Sequence, residues 1–374
     1  MNKIKIMFLM PFLGGGGTER VISLLCNNLD PEKFDVTLTL VKKEGRYIDN
    51  VSDHVKIITI DKPRVRNAIF DIVKLVNSER PDILFSSLGE FNLVVSMIKC
   101  FFNKYTVVIT RESNTVSSAN KDKSYPALYN FLYKTVYKNL DNIICQCHFM
   151  ERDLIENYGI DKNSIKVINN PVDVKYICGI TENSERSLSQ IQDKLRIVVA
   201  GRLENQKGFD LLLRALSRVK RKYELIILGD GTKKEELEDL ASKLNISDKV
   251  KFKGTVSNPF FYFKNSDVYI LSSRYEGFPN VVLEACIIGL PIIAYNSPGG
   301  TADIINSNII GDLVTYGECE EINIECLAES IEKFDSGHYK SDEIINDITN
   351  RFGVDKIIEE YSRYFFSLVE SRVV

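Results

Sequence analysis

The chain has 374 residues, 44% of them hydrophobic and 26% charged, and a formal net charge of −3. Single hydrophobic cores stop growing at about 250–300 residues, so this length calls for two domains. The composition is that of a soluble globular protein, and the near-neutral balance gives no support for nucleic-acid binding.

In chain order, Met1 to Met10 is an apolar run too short for a signal peptide. It leads straight into glycines, so it reads as a first β-strand at Ile4–Met10. Helical periodicity follows at Glu19–Leu29. Further strand-like runs lie at Val36–Val41, Ile83–Phe85, Thr106–Thr110, Asn142–Cys145 and Ile165–Ile168. Between the third and fourth of these, Lys121–Lys138 mixes lysines with Tyr125, Tyr129, Phe131, Tyr133 and Tyr137. Two readings stand for that segment: a basic, aromatic helix lying on an anionic membrane, or an ordinary helix with its rings in the core.

Asn170-Pro171 closes the first series, and Cys178 to Asp193 is rich in Ser, Asn, Gln and Glu without an apolar period, which is linker composition. A second series then begins: strands at Arg196–Ala200, Leu225–Leu228, Val250–Phe252, Asp267–Leu271 and Pro291–Ala294, with helices at Phe209–Lys222 and Lys233–Leu244. An amphipathic helix at Lys356–Val369 ends the chain. Strands alternating with helices, some apolar throughout, argue for two parallel sheets covered on both faces. The expected fold class is α/β, with two Rossmann-like βαβ domains facing a central cleft, and ligands at the carboxyl ends of the strands. The expected domains are 1–175 and 194–352, with 353–374 returning to the first. No stretch reaches the ~18 apolar residues of a membrane span.

The eight cysteines are scattered, and Cys145 and Cys147 do not form a CxxC pair. Of the three histidines, none stands at ligand spacing from a cysteine pair. Reduced thiols in a cytoplasmic protein, with no metal site, are the reading.

Three segments carry chemistry. After the first strand comes Gly14-Gly15-Gly16-Gly17-Thr18-Glu19-Arg20. Glycines let the backbone approach a ligand, and the helix that follows adds a partial positive charge suited to a diphosphate or a sugar. The spacing is neither GxGxxG nor a Walker A motif. The second series opens with Gly201-Arg202-Leu203-Glu204-Asn205-Gln206-Lys207-Gly208, whose Arg202 and Lys207 could hold a diphosphate and stabilise it as a leaving group. The third, Ser272-Ser273-Arg274-Tyr275-Glu276-Gly277-Phe278-Pro279-Asn280, runs from a strand into a helix carrying Glu284, with Pro279 suited to the first turn. A carboxylate that accepts two hydroxyl hydrogen bonds is how proteins grip a ribose or a sugar ring.

The Glu276–Glu284 pair, with seven residues between, resembles the signature of retaining glycosyltransferase family 4, of GT-B fold. Ile168-Asn169-Asn170-Pro171-Val172-Asp173, Leu228-Gly229-Asp230-Gly231 and Ser297-Pro298-Gly299-Gly300 match further landmarks of that family in its order, across essentially the whole chain. The resemblance implies that Glu276, Arg202 and Lys207 are catalytic, with Glu276 facing the transferred sugar and the two cations holding the donor diphosphate. It implies that Glu284 binds ribose hydroxyls and that Gly254 and Val256 meet the base. Gly15, Gly16, Gly17, Gly277, Phe278, Pro279 and Asn280 complete the donor site. It further implies a nucleotide-sugar donor, UDP by preference, a mechanism without metal or other cofactor, and retention of configuration.

Many family members place a histidine just after the strand at Thr106–Thr110; here stand Arg111-Glu112-Ser113-Asn114. Glu112 and Asn114, with Glu19, are carried as acceptor or sugar contacts; a buried pair between Glu112 and Arg111 is the other reading. The Gly-Gly-Thr-Glu-Arg start resembles bacterial transferases that extend undecaprenyl-diphosphate-linked glycans of the O-antigen or capsule kind, including N-acetylgalactosaminyltransferases. The partners this implies are a glycan or lipid-linked glycan acceptor and peripheral contact with the anionic inner membrane. The alternatives are a UDP-sugar epimerase-like enzyme and a non-catalytic GT-B binding subunit.

Overall fold

The inner β-strands of this protein are short and largely apolar, and each strand lies parallel to its neighbours. The computed structural model describes residues 3–182 and 194–371. It forms two compact units: the residues through Pro171 together with those from Val354 onward, and Val172–Gly353.

The first unit holds β1 (Ile4–Met10), β2 (Phe34–Leu40), β3 (Lys56–Thr59), β4 (Ile83–Ser87), β5 (Val107–Arg111), β6 (Asn142–Cys145) and β7 (Ile165–Val167). They form a parallel sheet in the order β3-β2-β1-β4-β5-β6-β7. The central strands β4 and β5 are buried at every position, which is why their sequences carry no polar alternation. The helix Gly17–Asn28 covers one face. Beside it lies the helix Val354–Glu370, which buries Ile357, Ile358, Tyr361 and Phe365. The Phe365 ring packs edge-on against Phe34 and Phe85, with centroids 6.2 and 6.0 Å away.

The second unit holds β8 (Leu195–Ala200), β9 (Tyr223–Leu228), β10 (Val250–Gly254), β11 (Val268–Leu271), β12 (Ile292–Tyr295) and β13 (Gly311–Val314). Their order is β10-β9-β8-β11-β12-β13, again all parallel. In both sheets the first strand lies centrally and the strand order reverses beside it, between β1 and β4 and between β8 and β11. Loops leaving the carboxyl ends of two such strands diverge to opposite faces and open a crevice, the usual ligand position in doubly wound sheets.

The structure adds two edge strands, β3 and β13, that the sequence pattern did not suggest. The helix expected over Phe209–Lys222 stops at Leu216, and Ser217 to Lys222 make the turn into β9. The start of the expected linker is helical, Val174–Glu182; its remainder falls outside the described residues. The aromatic segment Lys121–Lys138 is broken rather than one helix. A helix ends at Lys121, another runs Pro126–Thr135, and a single tight turn covers Tyr137–Asn139. Tyr133 and Tyr137 are buried in the core, as the second reading expects, whereas Tyr125, Leu128 and Phe131 are exposed.

Candidate functional site

A cluster of hydrogen-bonded polar groups in the second unit sits at the carboxyl ends of β8 and β11. The loop after β8 carries Lys207 and the loop after β11 carries Glu276. Lys207 Nζ donates to Glu276 Oε1 at 2.6 Å, and Ser273 Oγ donates to the same oxygen at 2.6 Å. Both charged side chains are largely shielded, 16% and 8% exposed, so their attraction is screened far less than that of a surface pair.

Backbone geometry brings them together. Gly208 has φ +59°, and a Cβ there would lie 2.1 Å from the carbonyl oxygen of Ser272. Only glycine lets the strap 205–208 lie this close to the loop after β11. The strap is then pinned. Arg274 Nη1 donates to Asn205 O (3.0 Å), Arg274 N to Gln206 O (2.8 Å) and Ser272 Oγ to Lys207 O (3.0 Å). Glu276 is fixed from its other side, since its N–H donates to Pro298 O (2.8 Å) and Gly300 N donates to Gly277 O (2.7 Å). The Ser297–Gly300 landmark therefore acts through its backbone.

Arg274 also grips Asp210 with two bonds of 2.8 Å and reaches Glu320 at 2.8 Å. Burial disfavours ionisation of Asp210. The Arg274 hydrogen bonds and charge outweigh that and hold its carboxyl below the usual range, while the same bonds push the Arg274 guanidinium up.

The remaining expected donor residues of the second unit lie on the loops after β8 and β11, at and just after the end of β10, and on the helix that follows β11. Arg202 is exposed at the head of the β8 loop. Glu204 in the same loop accepts from Thr232 N (3.0 Å) and Thr232 Oγ1 (2.8 Å), joining that loop to the one after β9. Gly254 ends β10, its carbonyl accepting from Gly229 N at 2.8 Å, and Val256 lies half-buried two residues on. Pro279 caps the helix Asn280–Ile287 rather than opening its first turn. Asn280 begins that helix and Glu284 lies half-buried one turn later. Phe278 is buried and packs against Phe352 with ring centroids 5.4 Å apart, so its ring shapes the loop from inside. Ser273, Arg274 and Asp210 were not singled out from the sequence. A serine and an arginine inside a recognised motif were the only local signal, and the carboxylates that Arg274 grips lie 64 and 46 residues away.

In the first unit, Gly15, Gly16 and Gly17 lead from β1 into the helix Gly17–Asn28, with Gly16 as its cap. Glu19 is buried and folds back on this turn: a Cβ on Gly16 would meet its Oε2 at 2.6 Å. A Cβ on Gly15 would meet nothing within 4 Å, so one face of the turn is open.

Arg111 and Glu112 do not form a buried pair. Glu112 directly follows the last residue of β5 and continues its ladder, its N–H donating to Ile144 O at 2.9 Å, and adjacent residues along a strand point to opposite faces. Arg111 follows Val107 and Ile109 onto the face covered by the helix Val354–Glu370, where its guanidinium donates to Asn170 Oδ1 and to Ser87 Oγ. Glu112 lies on the other face, 2% exposed, where its Oε1 accepts from Tyr137, from Asn92 Nδ2 (3.2 Å) and from Tyr133 (3.4 Å). Burial pushes the Glu112 carboxyl up, against the effect of those three donors. Asn114 is half-buried and accepts from Thr115 N at 3.0 Å, a turn-forming contact.

Residues 181–350 match the family Glycosyl transferases group 1, and residues 15–176 match Glycosyltransferase Family 4. The chain belongs to this glycosyltransferase family. An uncharacterized glycosyltransferase of Methanocaldococcus jannaschii is 30% identical over 264 residues, spanning 68% of this chain and 65% of that protein. An N-acetylgalactosamine-N,N'-diacetylbacillosaminyl-diphospho-undecaprenol 4-alpha-N-acetylgalactosaminyltransferase of Campylobacter jejuni is 28% identical over 314 residues, spanning 81% of this chain and 83% of that protein. Among solved structures, Anabaena HepE in complex with UDP aligns with a TM-score of 0.75 at 18% identity, over 97% of this chain and all of that one. That likeness shows a shared fold, and solved glycosyltransferases of GT-B architecture share it.

Proposed function

We propose that the protein is a retaining glycosyltransferase that moves a hexose or N-acetylhexosamine from a UDP-sugar onto a growing, undecaprenyl-diphosphate-linked bacterial surface glycan. The observation that carries the reading is the shielded Lys207–Glu276 pair at the strand-order reversal of the second sheet, beside the exposed Arg202. The Campylobacter relative acts on a diphospho-undecaprenol-linked sugar, and the Anabaena neighbour binds UDP; both support the donor and acceptor classes chosen here.

On this reading, breaking the anomeric C–O bond places positive character on the sugar and negative charge on the departing diphosphate. Lys207 turns from Glu276 toward that diphosphate, and Arg202 joins it. Glu276, relieved of its cation, offers its carboxylate to the hydroxyls of the transferred sugar. The acceptor hydroxyl forms the new bond at the anomeric carbon on the face the diphosphate leaves, and its proton passes to the leaving phosphate oxygen. Charge stabilisation falls to these side chains and to backbone N–H groups, without metal or other cofactor. Glu284 holds the ribose, and Gly254 and Val256 meet the base.

The acceptor belongs to the first unit, reached by the open face of the Gly15 turn. No helix among the described residues is long and apolar enough to cross a membrane. Exposed Tyr125, Leu128 and Phe131 lie among exposed Lys121, Lys134 and Lys138, a composition suited to the surface of an anionic membrane carrying the lipid-linked acceptor.

The test is a thermal-shift panel of UDP, GDP and ADP with their sugar conjugates. A ligand at 100 times its Kd adds about 2.7 kcal/mol, worth several degrees in a domain of this size. A shift with UDP and UDP-hexoses or UDP-hexosamines is expected. No shift with any of them, in protein that melts cooperatively, would overturn the reading.

A further inference from the structure

Arg274 is not among the residues expected to meet the phosphates or the sugar, yet its side chain is fully committed beside those that are. A guanidinium has five N–H donors in a rigid fork. Here all five are used: Nε on Glu320 (3.3 Å), Nη1 on Asn205 O (3.0 Å) and Asp210 Oδ1 (2.8 Å), Nη2 on Asp210 Oδ2 (2.8 Å) and Glu320 Oε1 (2.8 Å). Asp210 lies in the first turn of the helix Phe209–Leu216, and Glu320 in the first turn of the helix Glu320–Lys333. The backbone of Arg274 adds a sixth bond, to Gln206 O, and Gln206 Nε2 returns one to Tyr275 O at 3.0 Å.

The carbonyls of Asn205, Gln206 and Lys207 are thus held one after another by Ser272 and Arg274, with two of the three bonds supplied by Arg274. Lys207 sits at the end of this strap, just before Gly208. A flexible four-carbon stem needs a fixed root if its ammonium is to meet a reacting group within half an ångström.

We infer that Arg274 is a positioning residue that sets the reach of Lys207 toward the donor diphosphate, and that the paired carboxylates Asp210 and Glu320 hold it for that purpose. The inference rests on the proposed function above. An ordinary ion pair tying two helix starts together would stabilise the unit without favouring one ligand over another. A positioning residue acts on the diphosphate alone and only while Lys207 is present. Lysine at 274 keeps the charge but lacks the planar fork, so it cannot serve Asn205 O, Asp210 and Glu320 together.

The experiment measures Kd for UDP and for uridine by calorimetry, on the full chain, for wild type, Arg274→Lys, Lys207→Ala and the double variant. Arg274→Lys is expected to weaken UDP about tenfold and leave uridine within twofold, and to add less than twofold to the UDP loss already caused by Lys207→Ala. Equal weakening of UDP and uridine, an unchanged UDP affinity, or a full tenfold further loss in the Lys207→Ala background would each overturn the inference. If wild type binds uridine and UDP equally, no diphosphate grip exists and the function proposed above fails first; binding of UDP in preference to uridine separates the two cases.

Discussion

Replacing Lys207 by alanine should separate what this residue does for folding from what it does for turnover. In the protein as it stands, Lys207 Nζ and Glu276 Oε1 are 2.6 Å apart. At an effective dielectric constant of about 20, two unit charges at that distance attract with about 6 kcal/mol before the cost of desolvating them is counted. That cost consumes most of the gain, and the measurable loss on truncation comes chiefly from leaving a shielded carboxylate without its cation, though still accepting from Ser273 Oγ. A stability loss of about 2 kcal/mol follows, several degrees in melting temperature for a unit of this size. Lys207→Ala combined with Glu276→Gln should recover most of that loss, because the abandoned charge is gone. Activity should behave differently. Removing one group that meets charge developing on a leaving oxyanion costs on the order of 3 kcal/mol at the transition state, about a hundredfold in rate, and neither variant should recover it. The assay is UDP release from a UDP-sugar that shifts the melting temperature, alongside melting curves of both variants. A folded Lys207→Ala protein working within twofold of wild type would refute the assignment, whatever its stability.

Three other substitutions test the frame around this pair. Gly15→Ala adds a methyl group into open space, so the melting temperature should stay within a degree while kcat/KM for the acceptor falls at least tenfold; an unchanged rate would remove this turn from the site. Gly208→Ala forces a methyl group to 2.1 Å from Ser272 O at φ +59°, so the two loops must part; a loss of about 2 kcal/mol or more in chemical denaturation is expected, together with loss of UDP binding. Glu112→Gln should be more stable than wild type at pH 8 and equal to it near pH 3.5. Burial raises this carboxyl above its unfolded value of ~4.3, so the folded state is penalised progressively as pH rises through the raised value and not at all when both states are protonated. A stability gap that did not widen with pH would show that the carboxyl's burial carries no ionisation cost.

The βαβ alternation was legible because period-free apolar strands and amphipathic helices are local properties, and eleven of the expected strand runs coincide with observed strands to within a few residues. The two missed strands, β3 and β13, lie at sheet edges, where half-exposed residues blur the apolar run: Lys56 and Ile57 are both exposed. The early end of the helix after Gly208 was hidden for another reason, since Val219 continues its apolar period into a turn that packs on the same core. Within the site, Lys207 and Glu276 were readable as residues but not as a pair, because 69 residues separate them and only the neighbouring positions of β8 and β11 bring their loops together.

The case of Arg111 and Glu112 shows how far one simple rule reaches. Two opposite charges in sequence invite a salt bridge, yet the period of two in a strand sends them to opposite faces, and each must find neutral partners there. Glu112 finds two tyrosines and an asparagine; Arg111 finds a serine and an asparagine, the latter at the end of the first unit. Arg274 obeys a different constraint. It lies in a loop, its fork is free to turn, and it gathers two carboxylates and a carbonyl from three separate elements. A buried charge on a strand therefore reports on the packing of its own face, whereas a shielded charge on a loop at the carboxyl end of a sheet reports on what that loop must hold still.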